Sequence, residues 1–225
     1  MLSLWENVGE GVRVVRLTTP GEVEALVQLF EGVAVSEGWK PEAALRSWRD
    51  RSVYFALEVQ GELAGGLQLV LQDEAGAFPY QTIWPEVPLF APGHQAHVAL
   101  LAVRAPFRGR TLLFWRLVIE LWRYCVGEEL ASLSIEVTPR VLPLYWRLGW
   151  PLQVQGELRE HWGEPCYLAL LGVPEVAEAL LRRAAHSAYY REIISQAFRI
   201  DLARVLPPGK VGETSRSAPL SVAAS

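Results

Sequence analysis

Cysteine, lysine, methionine and long apolar runs are all scarce in this 225-residue chain. Two cysteines, Cys125 and Cys166, exclude a disulfide framework and a four-cysteine zinc site. Neither sits beside a sequence signal for a reactive thiol, so both read as core residues. Four histidines without paired spacing give no metal site. The most apolar stretch, residues 111–126, is cut by Arg116, Glu120 and Arg123, so no membrane span and no membrane partner are expected. Residues 1–11 carry acids and no basic run, which argues against a signal peptide. The default is a soluble cytoplasmic protein. Glycine (18) and proline (15) show no period, which excludes collagen-like chains. Net charge is only −4 and 51% of residues are hydrophobic, which excludes a disordered chain. The length suits one core with a small extension.

The mild acidity speaks against a nucleic-acid partner. The average conceals a pattern, however. Lysine occurs only at positions 40 and 210, so 19 of the 21 cationic residues are arginine. Five of these lie between Arg104 and Arg123, against one acid, Glu120. Arg104, Arg108 and Arg110 stand where a small anionic ligand could be met.

Local signals predict alternating strands and helices. Residues 12–17 read as a strand. Thr19, Pro20 and Glu22 read as N-cap, N1 and N3 of a helix whose apolar face is Leu26, Leu29, Phe30 and Val33. A short helix is expected over 41–49, with Leu45 and Trp48 inward. Residues 53–60 and 63–72 read as a hairpin around Gly61-Glu62. Segment 73–93, with four prolines and Phe78, Tyr80, Trp84 and Phe90, is too long for an idle loop and should pack on something. Residues 97–103 read as a buried central strand and 109–126 as a largely buried helix. Strands at 133–137, 152–157 and 166–171 follow, with a short helix at 141–148 and a turn at 161–164. His94 and His161 fall in loops and read as solvated. Residues 174–199 read as one amphipathic helix with Val176, Leu180, Leu181, Ala184, Ala188, Ile193, Ala197 and Phe198 on its stripe. The Pro/Ser/Gly/Ala-rich tail from 207 reads as disordered. The order implies an α/β (α+β) fold, a mixed sheet with helices on its faces.

Two junctions carry chemistry. In V-R-A-P-F-R-G-R-T-L-L (103–113), a buried strand runs through an Arg-Gly loop into a helix. A helix N-terminus offers unpaired N–H groups and partial positive charge, which with Arg108 and Arg110 suits a phosphate or pyrophosphate. Solvated arginines on a capped helix would look the same. In L-S-I-E-V-T-P-R-V-L-P-L-Y-W-R-L-G-W (133–150), a strand meets a Thr-Pro turn and a short helix carrying Tyr145.

Together these stretches resemble the GNAT superfamily of N-acyltransferases. In that family Arg-Gly follows a strand-ending Val by five residues, as Arg108-Gly109 follows Val103. A Tyr follows a strand-ending Asn by seven residues, as Tyr145 follows Thr138, and a Leu-Gly-aromatic ending follows, as in Leu148-Gly149-Trp150. The likeness spans about residues 12–171. Two loop glycines of the family are Thr111 and Leu113 here, and the Asn is Thr138. Leu113 would crowd a pyrophosphate, because glycine lets backbone approach it without a Cβ. The segment F-P-Y-Q-T-I-W-P-E (78–86) is similar to the branch with N-acyl amino acid synthases and acyl-homoserine-lactone synthases, which take long acyl chains, often from acyl carrier protein.

The resemblance implies a domain with a mixed, mostly antiparallel sheet over residues 1–172, with a C-terminal amphipathic helix (173–205) packed on that core and a disordered tail (206–225) beyond it. It implies a thioester donor, acyl-CoA, acetyl-CoA or the phosphopantetheine of acyl carrier protein, and a small-molecule amine acceptor. Donor contacts fall on Leu101, Ala102, Val103, Arg108, Gly109, Arg110, Thr111 and Thr138. Tyr145 stands where the family places the acid for the departing thiolate. His97 lies where many members carry a catalytic Glu, and Glu136 on the next strand is the second candidate base. A structural His, an Arg-paired Glu and a packing Tyr are the plain alternatives. The lost glycines also fit a non-catalytic ligand-binding or protein-interaction domain, with the C-terminal stripe as partner or homodimer face.

Overall fold

A computed structural model describes residues 11–40, 44–72, 78–88 and 95–198. The first elements follow their local signals. Strand β1 (Val12–Arg16) leads into α1 (Pro20–Glu37). Thr19 and Glu22 close the expected capping box, with the Thr19 side chain accepting from the Glu22 N–H. Leu26, Phe30 and Val33 of α1 are buried. The helix ends on Gly38 at φ 74°, a conformation glycine adopts without Cβ conflict.

The second helix is shorter than its sequence suggests. Helix α2 (Ala44–Ser47) gives way to a 3₁₀ turn, Arg49–Arg51, and Trp48 stacks under the Arg51 guanidinium at 4.1 Å. The side chain of Leu45 lies outside the described residues, as do His94, Phe90 and the tail.

Strands β2 (Ser52–Val59) and β3 (Glu62–Leu71) form the hairpin. Its two-residue turn is Gln60-Gly61, one position earlier than the sequence suggests, and both residues have positive φ. Strand β4 (Gln95–Val103) pairs antiparallel with β3. Helix α3 (Thr111–Gly127) returns the chain to β5 (Ser132–Val137), which runs parallel to β4. Helix α4 (Leu142–Leu148), β6 (Gln153–Val154), β7 (Arg159–His161) and β8 (Glu164–Gly172) follow. The sheet order is β1-β2-β3-β4-β5-β8-β6, with β7 paired to the start of β8. It is a mixed, mostly antiparallel sheet, as expected. Strand β6 is only two residues long, where 152–157 reads as strand.

The two faces of the sheet are covered differently. Helix α3 lies on one, burying Leu117, Val118, Leu121 and Trp122 against Phe55, Leu67, Val98 and Ile135. On the other face α1 covers Tyr54 and Ala102. Gly66 permits this approach: a Cβ there would lie 2.5 Å from the Phe55 carbonyl and 2.7 Å from Leu26 Cδ1. Segment 78–88 covers the rest of that face, with Phe78, Tyr80 and Trp84 buried on Val70, Cys166 and Leu168. The aromatic loop therefore packs, as its composition requires. Trp84 Nε1 donates to the Glu157 carbonyl at 2.8 Å, and Arg159 pairs with Glu86 at 2.8 Å.

The C-terminal segment is two helices, not one. Helix α5 (Val173–Ala184) and α6 (Ala188–Phe198) are separated at Ala185–Ser187. The break folds the apolar stripe over, so Val176, Leu180, Ala184, Ile193, Ala197 and Phe198 are buried while Ala188 is exposed. The pair docks on α3: Phe198 stacks on Trp122, and Arg123 Nε donates to the Gln196 carbonyl at 2.7 Å. The stripe thus covers the chain's own core. Among the described residues, no helix is long and apolar enough to cross a membrane and no cluster could hold a metal ion.

Candidate active site

Strands β4 and β5 part company at the middle of the sheet. Their pairing runs from Gln95↔Ser132 to Val98↔Ile135 and stops, although β4 continues to Val103 and β5 to Val137. A bulge accompanies the parting. Gln68 faces Leu100 and Leu69 faces Val98, so Ala99 has no partner on β3. One extra residue bends a strand and resets its alternation. Ala99 and Leu100 consequently both pack on the α1 side, against separate clusters. The fork opens a cavity of about 140 Å³.

Leu101, Glu136, Thr138, Tyr145, His161 and Cys166 all line this cavity. Tyr145 is carried there by α4, which Gly149 terminates at φ 91°. The ring stacks on Trp150, and burial pushes the phenol up to about 12. It therefore stays protonated at neutral pH, and its hydroxyl makes no hydrogen bond among the described residues. Ala102 is buried beneath α1 instead, while Val103 lies farther along, at the start of α3.

Glu136 links two histidines. His161 Nδ1 hydrogen-bonds Glu136 Oε2, and His97 Nε2 lies 3.7 Å from Glu136 Oε1. His97 does not reach the cavity. It is only 1% exposed, with Nδ1 at 2.9 Å from Ser134 Oγ and the Tyr80 and Phe78 rings beside it. Burial holds its imidazole down to about 4, against the pull of Glu136. It is neutral at pH 7 and backs Glu136 from behind. His161 is not solvated: β7 places it in the wall, 7% exposed. Sequence reading missed it because a three-residue strand leaves no periodicity to detect.

Cys166 is a core residue, as expected, but one at the edge of the core. It borders the cavity, and burial, then the charges of Glu136 and Glu164, push its thiol up to about 12. Cys125 is buried in the core beneath α3, and burial raises its thiol as well.

A second cavity, of about 280 Å³, opens at the N-terminus of α3 beside Val103, Arg108, Gly109, Arg110 and Thr111. Leu113 turns inward, 1% exposed, against Leu57, Val59 and Ala64, so it forms a floor and does not project outward. The arginines divide. Arg104 pairs with Glu62. Arg108 donates to the Val103 carbonyl at 2.7 Å and pairs with Glu37 at 2.5 Å, which ties the loop to α1. Arg110 makes no hydrogen bond or ion pair among the described residues.

No family model and no curated protein matches this chain. Solved structures do. One is FeeM, an N-acyl amino acid synthase from uncultured soil microbes: 18% identity, TM-score 0.65, covering 75% of this chain and 94% of that one. The chain has the GNAT acyltransferase fold. The acyl-homoserine-lactone synthase LasI is similar at 14% identity, TM-score 0.56, over 72% of this chain and 89% of that one. BjaI, a CoA-dependent acyl-homoserine lactone synthase with SAM and isopentyl-CoA, is similar at 11% identity, TM-score 0.55, over 84% and 90%. The divergence of β4 from β5 leaves one edge of β4 unpaired beside the cavity.

Proposed function

We propose that the chain is an N-acyltransferase that moves an acyl group from an acyl-CoA or acyl carrier protein thioester to the amine of a small molecule. The observation that carries this reading is the opening of β4 from β5 into one cavity shared by Tyr145, Glu136 and His161. The fold's solved neighbours, which include a CoA-dependent synthase, support a thioester donor.

A thioester laid in the fork would use the unpaired backbone groups of β4 from Ala99 to Val103, including Leu101. Its phosphates would lie toward Gly109, Arg110 and Thr111, where the first-turn N–H groups of α3 lack intrahelical partners. Gly109 has positive φ and open space around its α-carbon. Glu136, oriented by His161 and His97, takes the proton from the ammonium of the acceptor. The amine nitrogen then forms the new C–N bond, releases its surplus proton to solvent, and the C–S bond breaks. The Tyr145 hydroxyl donates to the departing sulfur and recovers its proton from solvent. Holding both substrates in one cavity supplies much of the rate.

The test is release of free thiol from a panel of acyl-CoAs and acyl carrier protein thioesters with amine acceptors. Turnover that falls in the Glu136→Gln variant supports the reading. Absence of both turnover and thioester binding defeats it and favours a non-catalytic ligand-binding domain.

A further inference from the structure

The acceptor side of the cavity has an unusual electrical character. Beyond Glu136, its wall contains Glu164, Trp39 and Trp162, and no lysine or arginine among the described residues. His161 is the one wall residue able to carry a positive charge, and its Nδ1 is committed to Glu136. Even a protonated His161 would only cancel Glu136 and leave Glu164 uncompensated. The field reaches the cavity: the Cys166 thiol is held up partly by both carboxylates.

One of the two tryptophans, Trp162, is placed with some strain. Trp162 and Gly163 form the two-residue turn between β7 and β8, with φ of 57° and 83°. Asn-Gly is the sequence such a turn favours, and a bulky side chain at positive φ is disfavoured. Strain of this kind persists where surrounding contacts hold it. The turn is pinned from outside, since Lys40 N–H donates to the Trp162 carbonyl at 3.0 Å and Trp39 Nε1 donates to Glu164 Oε1 at 2.7 Å. Lys40 itself is exposed and outside the wall. Tyr145, a buried residue whose hydroxyl has no partner among the described residues, faces the same space.

Resting on the acyl-transfer reading, we infer that the acceptor is an amine without a carboxylate, held as its cation by Glu164 and the faces of Trp39 and Trp162. Aromatic faces and carboxylates attract an ammonium and repel an acid group. An α-amino acid would bring its carboxylate into a small cavity already holding two, with no arginine among the described residues of its wall to receive it. The reacting ammonium gives its proton to Glu136 before attack, so charge recognition and chemistry use different carboxylates.

The experiment is isothermal titration of the full chain with matched pairs: tyramine against tyrosine, and phenethylamine against phenylalanine. Each is run alone and with free CoA, which fills the donor site without reacting. Each amine should bind at least about tenfold tighter than its amino acid. Glu164→Gln keeps an acceptor for Trp39 Nε1 and should weaken the amine about tenfold while leaving the amino acid unchanged. Trp162→Asn suits the turn, so it should fold normally and still lose amine affinity. Equal or tighter binding of the amino acids, no binding of either amine, or unchanged affinity in Glu164→Gln would each overturn the inference. Tight amine binding with neither turnover nor thioester binding would defeat the proposed function and leave only the carboxylate-excluding amine site standing. Turnover that prefers amino acids would do the reverse.

Discussion

The Tyr145 ring lies flat on the Trp150 indole, with centroids 5.0 Å apart and planes 11° from parallel. The stack fixes where the phenol points, and the hydroxyl has no competing bond. Tyr145→Phe keeps the stack and removes only the proton donor. Its kcat for thiol release should fall by about 10²–10⁴, the range for a general acid. The melting temperature should barely change, because no hydrogen bond is lost. An unaltered kcat would remove Tyr145 from the mechanism.

His97 makes stability depend on pH. Its imidazole is held down to about 4, below its ordinary 6.5, so the unfolded chain binds a proton more readily than the folded one between those values. The stabilisation is full above pH 6.5 and is lost as pH falls toward 4. The loss is roughly 3 kcal/mol for the full shift. His97→Gln should flatten the fall in melting temperature between pH 6.5 and 4 relative to the parent chain. An identical slope in the two proteins would show that other groups govern it.

Arg110 and Arg108 should separate in their effects. Arg110 is free of partners among the described residues, so Arg110→Ala should leave the melting temperature in place and raise KM for acyl-CoA, more at low salt than at high. Arg108 ties Val103 and Glu37, so Arg108→Ala should cost about 1 kcal/mol of stability at these half-exposed positions and lower the melting temperature accordingly. Paired denaturation curves and KM measurements at two salt concentrations read both.

Gly66→Ala should cost about 1–3 kcal/mol, the range for overpacking. The added Cβ meets the Phe55 carbonyl of β2, which cannot move without shifting the strand, and the buried Leu26 side chain of α1, which must repack. Urea denaturation measures it. Gly21→Ala, with open space around it in the first turn of α1, is the control expected to be neutral or better.

Much of the frame was legible because local physics decides it. The capping box at Thr19 and Glu22, the β2–β3 hairpin and the Gly149 stop are each specified within a few residues. The packing of 78–88 was legible from its aromatic content, since such a segment cannot remain in water. The break at Ala185–Ser187 was not, because the stripe stays in register across it and only the surface of α3 determines where the chain turns. His161 and Trp162 were not, because a short strand and a two-residue turn carry no period.

The site divides along the same line. Sequence alone determined that Val103, Arg108, Gly109, Thr138 and Tyr145 stand at the spacings of a GNAT frame, because those spacings are set by the lengths of a strand, a loop and a helix. It also determined that a buried apolar strand carries His97. Only the tertiary structure decided that His97 is sealed behind Glu136 while His161 reaches the cavity. The bulge at Ala99 and the end of the β4–β5 pairing make the cavity, and both are relations between strands far apart in the chain. Charge shows the difference most directly. Composition records a net −4 spread over the whole chain, but the fold gathers two carboxylates and two tryptophans around one small space. Coulomb energy depends on separation, and separation is what the folded chain supplies.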